Sequence, residues 1–213
     1  MEETLISFNT DNFQLLCDRL ARKDKALKAI IKTHGYPPLW SRPANFQTVI
    51  HIILEQQVSL ASALAALNKL KEKLGTITPQ KLLLLTDAEM RACYFSRQKT
   101  VYARHLAKAI VSKQLKLKKL SLLPDEKIRE ELKRIKGIGD WTVDIYLLFA
   151  LQRTDIFPTG DLAMINAFKE VKQLKPQISK EEMIALSASW KPHRSIATML
   201  LWHYYIQKRG LRI

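Results

Sequence analysis

Apolar residues recur every three or four positions through most of this chain. Residues 11–33 show this spacing and predict one long helix or two short ones, ending near Gly35, because glycine and the prolines behind it do not continue a helix. Residues 45–57 repeat the pattern, and Ser59 is a suitable N-cap for a helix that reaches about Gly75. The spacing therefore predicts a helical N-terminal half.

Capping signals predict further helices in the second half of the chain. Thr86 and Glu89, and again Ser179 and Glu182, have the three-residue spacing of a capping box. The other predicted helices cover residues 100–111, Pro124 to about Ile135, Asp140 to Leu151, and Pro192 to Gly210. No run alternates as a strand would, and glycine is scarce. We expect an all-α protein of about ten helices with short loops and no flexible linker.

The charge balance points to a polyanionic partner. Lys and Arg total 35 against 20 Asp and Glu, which gives a net charge of +15. Such a surplus suits nucleic acid or an anionic membrane surface, although a soluble protein can also simply be basic. The Lys-rich stretch 112–136 is interleaved with Leu and Ile, which is typical of a solvated helix face. No helix combines a basic face with a lipid-facing aromatic side, which argues against the membrane.

The two cysteines limit the possible cofactors and compartments. Cys17 and Cys93 are far apart, which excludes a zinc site built on cysteines and a four-cysteine iron–sulfur cluster. A reducing, intracellular setting fits this usage. The acidic, polar N-terminus does not resemble a secretory signal, and no apolar run reaches the roughly 18 residues of a membrane span.

The segment from Leu132 to Val143 predicts two helices joined by a turn with two glycines. The amides of such a turn and of the outgoing helix point outward together and can bind a phosphate. An ordinary helical hairpin is the alternative. Phosphate contacts would hold DNA without reading its sequence. Ile138 is expected to pack between the two helices. The candidate DNA contacts are Lys136, Gly137, Ile138, Gly139, Asp140 and Thr142. Backbone carbonyls of Lys133, Ile135 and Ile138 are candidates for holding a Na⁺ or K⁺ ion.

A second candidate site follows about twenty residues later. Pro158 and Gly160 shape a tight loop, and Asp161 stands at the start of a predicted helix. The helix dipole and its unpaired amides favour an ionised carboxylate there. Asp161 could equally be an ordinary N-cap, since Asp is among the commonest caps.

Together these motifs resemble the helix–hairpin–helix DNA glycosylase superfamily, whose hallmark is such a hairpin followed by a Gly/Pro-rich loop ending in Asp. Residues 53–59 (ILEQQVS), 190–195 (WKPHRS) and 201–202 (LW) are similar to motifs of its AlkA-type 3-methyladenine DNA glycosylases. The resemblance covers roughly residues 45–205. It implies two helical lobes, one over 45–153 with the hairpin and one joining 1–44 to 154–213, with an active cleft between them and Asp161 at its mouth.

The resemblance also assigns roles to individual residues. Gln57 matches the residue that intercalates where the damaged base is extruded, and Ser59 lies in the same loop, although Gln57 could be only a polar residue at a helix end. Trp141 and Trp202 would line the base pocket, unless they are core tryptophans. Ile145 stands where the family has a pocket tyrosine, so the pocket differs there. The 44 residues before the first motif read as helices and suggest a short form without the family's N-terminal α/β domain.

The expected function is hydrolysis of the N-glycosidic bond of alkylated bases, of the 3-methyladenine and 7-methylguanine type, in double-stranded DNA. Asp161 would be the catalytic carboxylate, and neither metal nor organic cofactor is needed for the chemistry. Trp141 occupies the position of the lysine in bifunctional members, which predicts no strand cleavage. A monomer is expected, in the cytoplasm and nucleoid or in a nucleus. The alternatives are a non-catalytic protein that binds lesions and a glycosylase for another base, such as 8-oxoguanine.

Overall fold

The computed structural model describes residues 7–211 and confirms the predicted all-α class. Those residues form thirteen α-helices and one short 3-10 helix, and their only β-type contact is an isolated bridge between Ser7 and Arg153. The acidic N-terminal residues 1–6, part of the segment read as no secretory signal, lie outside the described range. No helix within residues 7–211 is long and apolar enough to cross a membrane.

The helices begin and end as follows: α1 Phe13–Lys23, α2 Lys25–His34, α3 Phe46–Glu55, α4 Leu60–Leu74, α5 Pro79–Leu83, α6 Asp87–Ala92, α7 Arg97–Val111, α8 Leu117–Leu120, α9 Asp125–Lys133, α10 Asp140–Phe149, α11 Leu162–Val171, α12 Lys180–Ser187, the 3-10 helix Ala188–Trp190, and α13 Arg194–Arg209.

Local capping chemistry sets most of these boundaries. Both predicted capping boxes form, at the starts of α6 and α12. The Ser59 hydroxyl caps α4 as predicted, and Gly210 ends α13 in the left-handed conformation. The pattern over residues 11–33 gives two helices because the Asp24 carboxylate caps α2 and so separates it from α1.

The structure differs from the expected helices in several places, among them the number of helices, the end of α9 and the start of α13. The count of about ten was too low, because α5 and α8 have only five and four residues and cannot show a helical period. Helix α9 ends at Lys133 rather than near Ile135, where the hairpin turn begins. The last helix starts at Arg194 rather than Pro192, with His193 at its N-cap position.

The chain forms two compact units, and within residues 7–211 it passes from one to the other twice, between Ser41 and Arg42 and within α10. The first unit comprises residues 7–41 and 147–211 of the described range. Its central helix is α13, whose residues 195–203 are all buried and which packs against α1, α2 and α11. The second unit comprises residues 42–146 and is built around α3, which is mostly buried and packs against α4 and α7.

Candidate functional site

Asp161 is held at the N-terminus of α11 by two hydrogen bonds to the same carboxylate oxygen. Its Oδ1 accepts the backbone amide of Met164 at 2.8 Å, as an N-cap does, and the indole Nε1–H of Trp202 at 2.9 Å. The two donors approach this oxygen from different elements, α11 and α13, and together fix the orientation of the carboxylate. Asp161 is therefore an N-cap and also the centre of a polar contact that reaches α13, 41 residues away in the chain.

Trp202 is fixed in place by packing as well as by this hydrogen bond. Only 8% of the residue is exposed, and its ring stacks on Phe149 with the centroids 5.3 Å apart. The indole N–H therefore points at Asp161 from a rigid platform. Trp202 and Asp161 are the two predicted site residues that the structure brings together in the first unit.

The loop before Asp161 is anchored by the Arg-Ser pair of the WKPHRS motif. Arg194 donates to both carboxylate oxygens of Asp155 at 2.8 Å. The Ser195 hydroxyl donates to the carbonyl of Arg153 and accepts the amide of Ile156 at 2.8 Å. The sequence showed this motif but not that it anchors the loop, because these contacts join segments about 40 residues apart.

The hairpin between α9 and α10 contains two glycines that serve different purposes. Gly137 has φ +92°, and a Cβ placed on it would stand 2.0 Å from the ring of Tyr102. Gly139 has no such strain and has open space around it. Between them, Ile138 is 5% exposed and its amide donates to the carbonyl of Ile135 at 3.0 Å.

The hairpin offers the features of an anion site. Within residues 7–211 the amides of Gly137 and Gly139 make no hydrogen bond, and Gly139 is exposed at the N-terminus of α10. Lys136 is exposed beside them. The carboxylate of Asp140 is paired with the ammonium of Lys133 at 2.6 Å, which reduces its repulsion of an anion.

The monovalent cation expected at the hairpin stays a prediction. One of its three candidate carbonyls, that of Ile135, already accepts the amide of Ile138. A carbonyl oxygen has a second lone pair, so this bond does not exclude an ion. The described residues contain no group of three or more His, Cys, Asp or Glu side chains that would hold a metal.

The turn that follows α3 exposes Gln57. This residue has φ +58°, in the left-handed region, and its side chain and that of Val58 are exposed. Ser59, also exposed, caps α4. A cavity of about 380 Å³ lies beside the turn and is lined by Gln56, Gln57, Gln98, Lys99, Tyr102, Gly137, Ile138 and Gly139.

Three remaining predicted residues lie partly or wholly inside the protein. Thr142, a predicted DNA contact, is 3% exposed, and its hydroxyl accepts the side-chain amide of Gln56 at 2.9 Å. Ile145 is 2% exposed, whereas Trp141, the second residue of α10, is partly exposed. Tyr146 was not singled out in the sequence. It is fully buried, its hydroxyl has no partner within the described range, and burial raises its pKa to about 12.

Comparison with known proteins identifies the family. A family model described as HhH-GPD superfamily base excision DNA repair protein matches residues 50–193. The chain belongs to this superfamily. The predicted membership in the helix–hairpin–helix DNA glycosylases is thereby confirmed.

Relatives cover most of the chain. The Schizosaccharomyces pombe alkylbase DNA glycosidase-like protein mag2 is 30% identical over 190 residues, which are 86% of this chain and 89% of mag2. Bacillus subtilis YfjP is 30% identical over 185 residues, and the match spans 83% of this chain but only 64% of YfjP. The structure of Schizosaccharomyces pombe 3-methyladenine DNA glycosylase (Mag1) in complex with abasic DNA superimposes with a TM-score of 0.80 at 28% identity. That superposition covers 88% of this chain and 95% of Mag1.

Proposed function

We propose that this chain is a monofunctional DNA glycosylase that hydrolyses the N-glycosidic bond of alkylated purines, such as 3-methyladenine and 7-methylguanine, in double-stranded DNA. The observation that carries the proposal is the carboxylate of Asp161, oriented by the indole of Trp202 and by the start of α11. The names of relatives support the same chemistry, since Mag1 is a 3-methyladenine DNA glycosylase.

The proposed reaction uses a carboxylate and a water molecule. Alkylation at a ring nitrogen makes the purine cationic, so the base leaves readily with the electron pair of the C–N bond. Positive charge then develops on the sugar, and a nearby ionised Asp161 stabilises it electrostatically. After the base has left, a water molecule adds to the sugar carbon that carried it and releases a proton, which leaves an abasic site. Trp202 keeps the carboxylate aimed while this charge develops.

The hairpin and the turn bearing Gln57, both in the second unit, would hold and open the duplex. The amides of the hairpin bind a DNA phosphate, which positions the duplex without reading its sequence. The damaged base leaves the stack at a cost of a few kcal/mol, and Gln57 fills the gap. An aromatic face attracts a cationic base by roughly 0.5–2 kcal/mol. This is the role proposed for Trp202 in the first unit and, separately, for Trp141 in the second.

The absence of strand cleavage is part of the proposal. Strand cleavage through a Schiff base at the sugar needs an amine, and the indole of Trp141 cannot form a Schiff base. The product is then an abasic site in an unbroken strand. We propose that the protein works as an intracellular monomer on double-stranded DNA.

The test is Asp161→Asn, assayed for release of bases from methylated duplex DNA. Asn is also a good N-cap, and its Oδ1 can still accept the amide of Met164 and the indole of Trp202, so the fold is kept while the charge is lost. We expect single-turnover release of 3-methyladenine to fall at least about a hundredfold, the scale of losing one main electrostatic stabiliser. Thermal unfolding should change little.

Asp11→Asn, an exposed carboxylate in the same unit, is the matched control and should keep full activity. Release by Asp161→Asn at more than half the wild-type rate would overturn the assignment of the carboxylate. If the wild-type protein binds damaged duplexes but releases no base, the chain is a lesion-binding protein. Release of 8-oxoguanine rather than methylated purines would contradict the proposed substrate. Cleaved strands would contradict the monofunctional mechanism.

A further inference from the structure

The turn bearing Gln57 is anchored at each of the three residues that precede it. The carbonyl of Leu54 accepts the ammonium of Lys99 at 2.6 Å, and the buried carboxylate of Glu55 pairs with both terminal guanidinium nitrogens of Arg42 at 2.9 and 2.6 Å. Gln56 makes the third anchor. Only after these three does the chain turn outward at Gln57.

The third anchor differs from the other two because it ends in the hairpin. The side-chain amide of Gln56 has two N–H donors. The nitrogen lies 3.0 Å from the carbonyl oxygen of Gly137 and 2.9 Å from the hydroxyl oxygen of Thr142, 81 and 86 residues further along the chain. Both acceptors belong to the phosphate-binding turn and the helix that leaves it.

The hairpin end of this link is itself rigid. Gly137 is in close contact with the ring of Tyr102, and its φ of +92° is a conformation that few other residues adopt. Thr142 is buried on the first turns of α10. A short side chain with two donors therefore joins two segments, each of which is held in place on its own account.

We propose that Gln56 is a positioning residue that locks the turn bearing Gln57 to the hairpin. It fixes the distance between the place where a phosphate is bound and the place where Gln57 enters the duplex. The inference rests on the proposed function, because it concerns how the same enzyme extrudes a base. Gln56 itself does not touch the reacting atoms.

The lock separates two properties that a general loss of structure would affect together. Binding to the DNA backbone depends on the hairpin and on basic side chains, and it survives without the link. Extrusion depends on pushing Gln57 into the stack against the resistance of stacking and pairing. Without the hydrogen bonds of Gln56, the turn can move when Gln57 meets the stacked bases, and the base is then extruded less often.

Gln56→Met removes both donors and keeps the length of the side chain. Thr142→Val removes one acceptor and keeps the shape of Thr142. Gln80→Met, at an exposed position of α5 in the same unit, is the control for the substitution itself. Each protein is measured for thermal unfolding, for affinity to an undamaged duplex and to one with a tetrahydrofuran abasic analogue, and for single-turnover release of 7-methylguanine. The release is compared between a paired duplex and one with the lesion opposite an abasic analogue, where no pairing must be broken.

For Gln56→Met we expect affinity for the undamaged duplex within about twofold of wild type, since the phosphate contacts remain. The preference for the tetrahydrofuran duplex and the release rate from the paired duplex should each fall about tenfold, the effect of two hydrogen bonds. Release from the unpaired lesion should fall less than about threefold, because extrusion there is easy. Thr142→Val should show about a threefold defect of the same pattern, and Gln80→Met none.

An unchanged preference for the tetrahydrofuran duplex would overturn the proposal. So would equal losses on paired and unpaired lesions, or equal losses of affinity for damaged and undamaged DNA, since these indicate a structural or purely DNA-binding role. If Gln56→Met fails to fold, Thr142→Val decides. If the wild-type protein releases no base, the proposed function fails, whereas the two binding affinities still test the role of Gln56.

Discussion

At the scale of single residues, the hairpin shows that two glycines of one motif can be required for different reasons. Gly137 is required for stability, since its backbone angle and the ring of Tyr102 both disfavour a side chain. Gly139 meets neither condition. We propose that its reason lies outside the molecule, in the close approach of a phosphate to exposed backbone amides.

This distinction predicts opposite phenotypes for two alanine substitutions. Gly137→Ala should lower the free energy of unfolding by roughly 2–4 kcal/mol, because it adds strain at positive φ to overpacking against Tyr102. The free energy of unfolding of Gly139→Ala should lie within about 0.5 kcal/mol of the wild-type value. The same variant should bind duplex DNA about tenfold more weakly, because its methyl group keeps the phosphate away. Urea titrations and fluorescence anisotropy measure the two effects.

The double variant Gly137→Ala with Tyr102→Ala provides the control for overpacking. Its loss in the free energy of unfolding should be smaller than the sum of the losses of the two single variants, since the alanine methyl group then meets no ring. Equal stability of the Gly137→Ala and Gly139→Ala proteins would contradict the distinction.

At the scale of elements, Asp24 joins three segments of the first unit. Its Oδ1 caps α2, while its Oδ2 accepts the ammonium of Lys172, which follows α11, and the indole N–H of Trp190 at 2.7 Å. Trp190 belongs to the 3-10 helix and packs edge-on against Phe157 and Phe168. Burial alone would raise the pKa of Asp24, but the hydrogen bonds from Lys172 and Trp190 outweigh it and leave the pKa below its ordinary value.

The depressed pKa makes the stability of this unit depend on acid. A carboxyl whose folded pKa lies below its unfolded value, about 3.9 for Asp, stabilises the fold above that value and loses its contribution as the pH falls through the folded pKa. Asp24→Asn places an amide opposite two donors and should cost roughly 2–4 kcal/mol at pH 7. The difference from wild type should shrink between pH 5 and pH 3, as followed by urea unfolding.

Asp87→Asn is the comparison for this prediction. Asp87 is an exposed residue paired with Arg104, and such surface pairs contribute less than about 1 kcal/mol. A penalty for Asp24→Asn that is constant from pH 7 to pH 3 would show that the ionised carboxylate does not carry the stabilisation.

Elements and motifs were predictable from sequence where the signal is local. The capping boxes, the end at Gly210 and the glycine hairpin each rest on residues within a few positions of one another. The contacts that hold the site are not local. Trp202 was expected at the pocket by resemblance, but its hydrogen bond to Asp161 and that of Gln56 to Gly137 join distant segments. No periodicity records such pairs, because they arise only when helices pack.

At the scale of the whole molecule, basic side chains outnumber acidic ones, and the excess of bases has no acidic residue to pair with. Lys and Arg exceed Asp and Glu by 35 to 20. Many of the acidic side chains are already paired with bases, among them Asp24, Glu55, Glu72, Asp87, Glu89, Glu130, Glu131, Asp140, Asp144, Asp155 and Glu170. The surplus is therefore available to a polyanion, and it strengthens binding at any DNA sequence.

This surplus predicts strongly salt-dependent binding to undamaged duplex DNA. If six to ten phosphates are neutralised, the logarithm of the binding constant should fall with the logarithm of the salt concentration with a slope of about −5 to −9. The affinity should then drop by about a thousandfold or more between 50 and 200 mM salt, as measured by fluorescence anisotropy. Thermal unfolding over the same range excludes an effect on the fold. A slope shallower than about −2 would contradict an electrostatic interface.

The anchored turn after α3 also bears on how such a protein diverges. Its support comes from Leu54, Glu55 and Gln56, whereas the exposed positions are Gln57 and Val58. Substitutions at the exposed positions leave the supporting contacts untouched. The tip can thus be exchanged at little risk to folding, provided that the residue at position 57 accepts the left-handed backbone conformation that Gln57 has. If Gln57 enters the duplex as proposed, such exchanges, in evolution or in a library of engineered variants, would sample new lesion preferences on an unchanged scaffold.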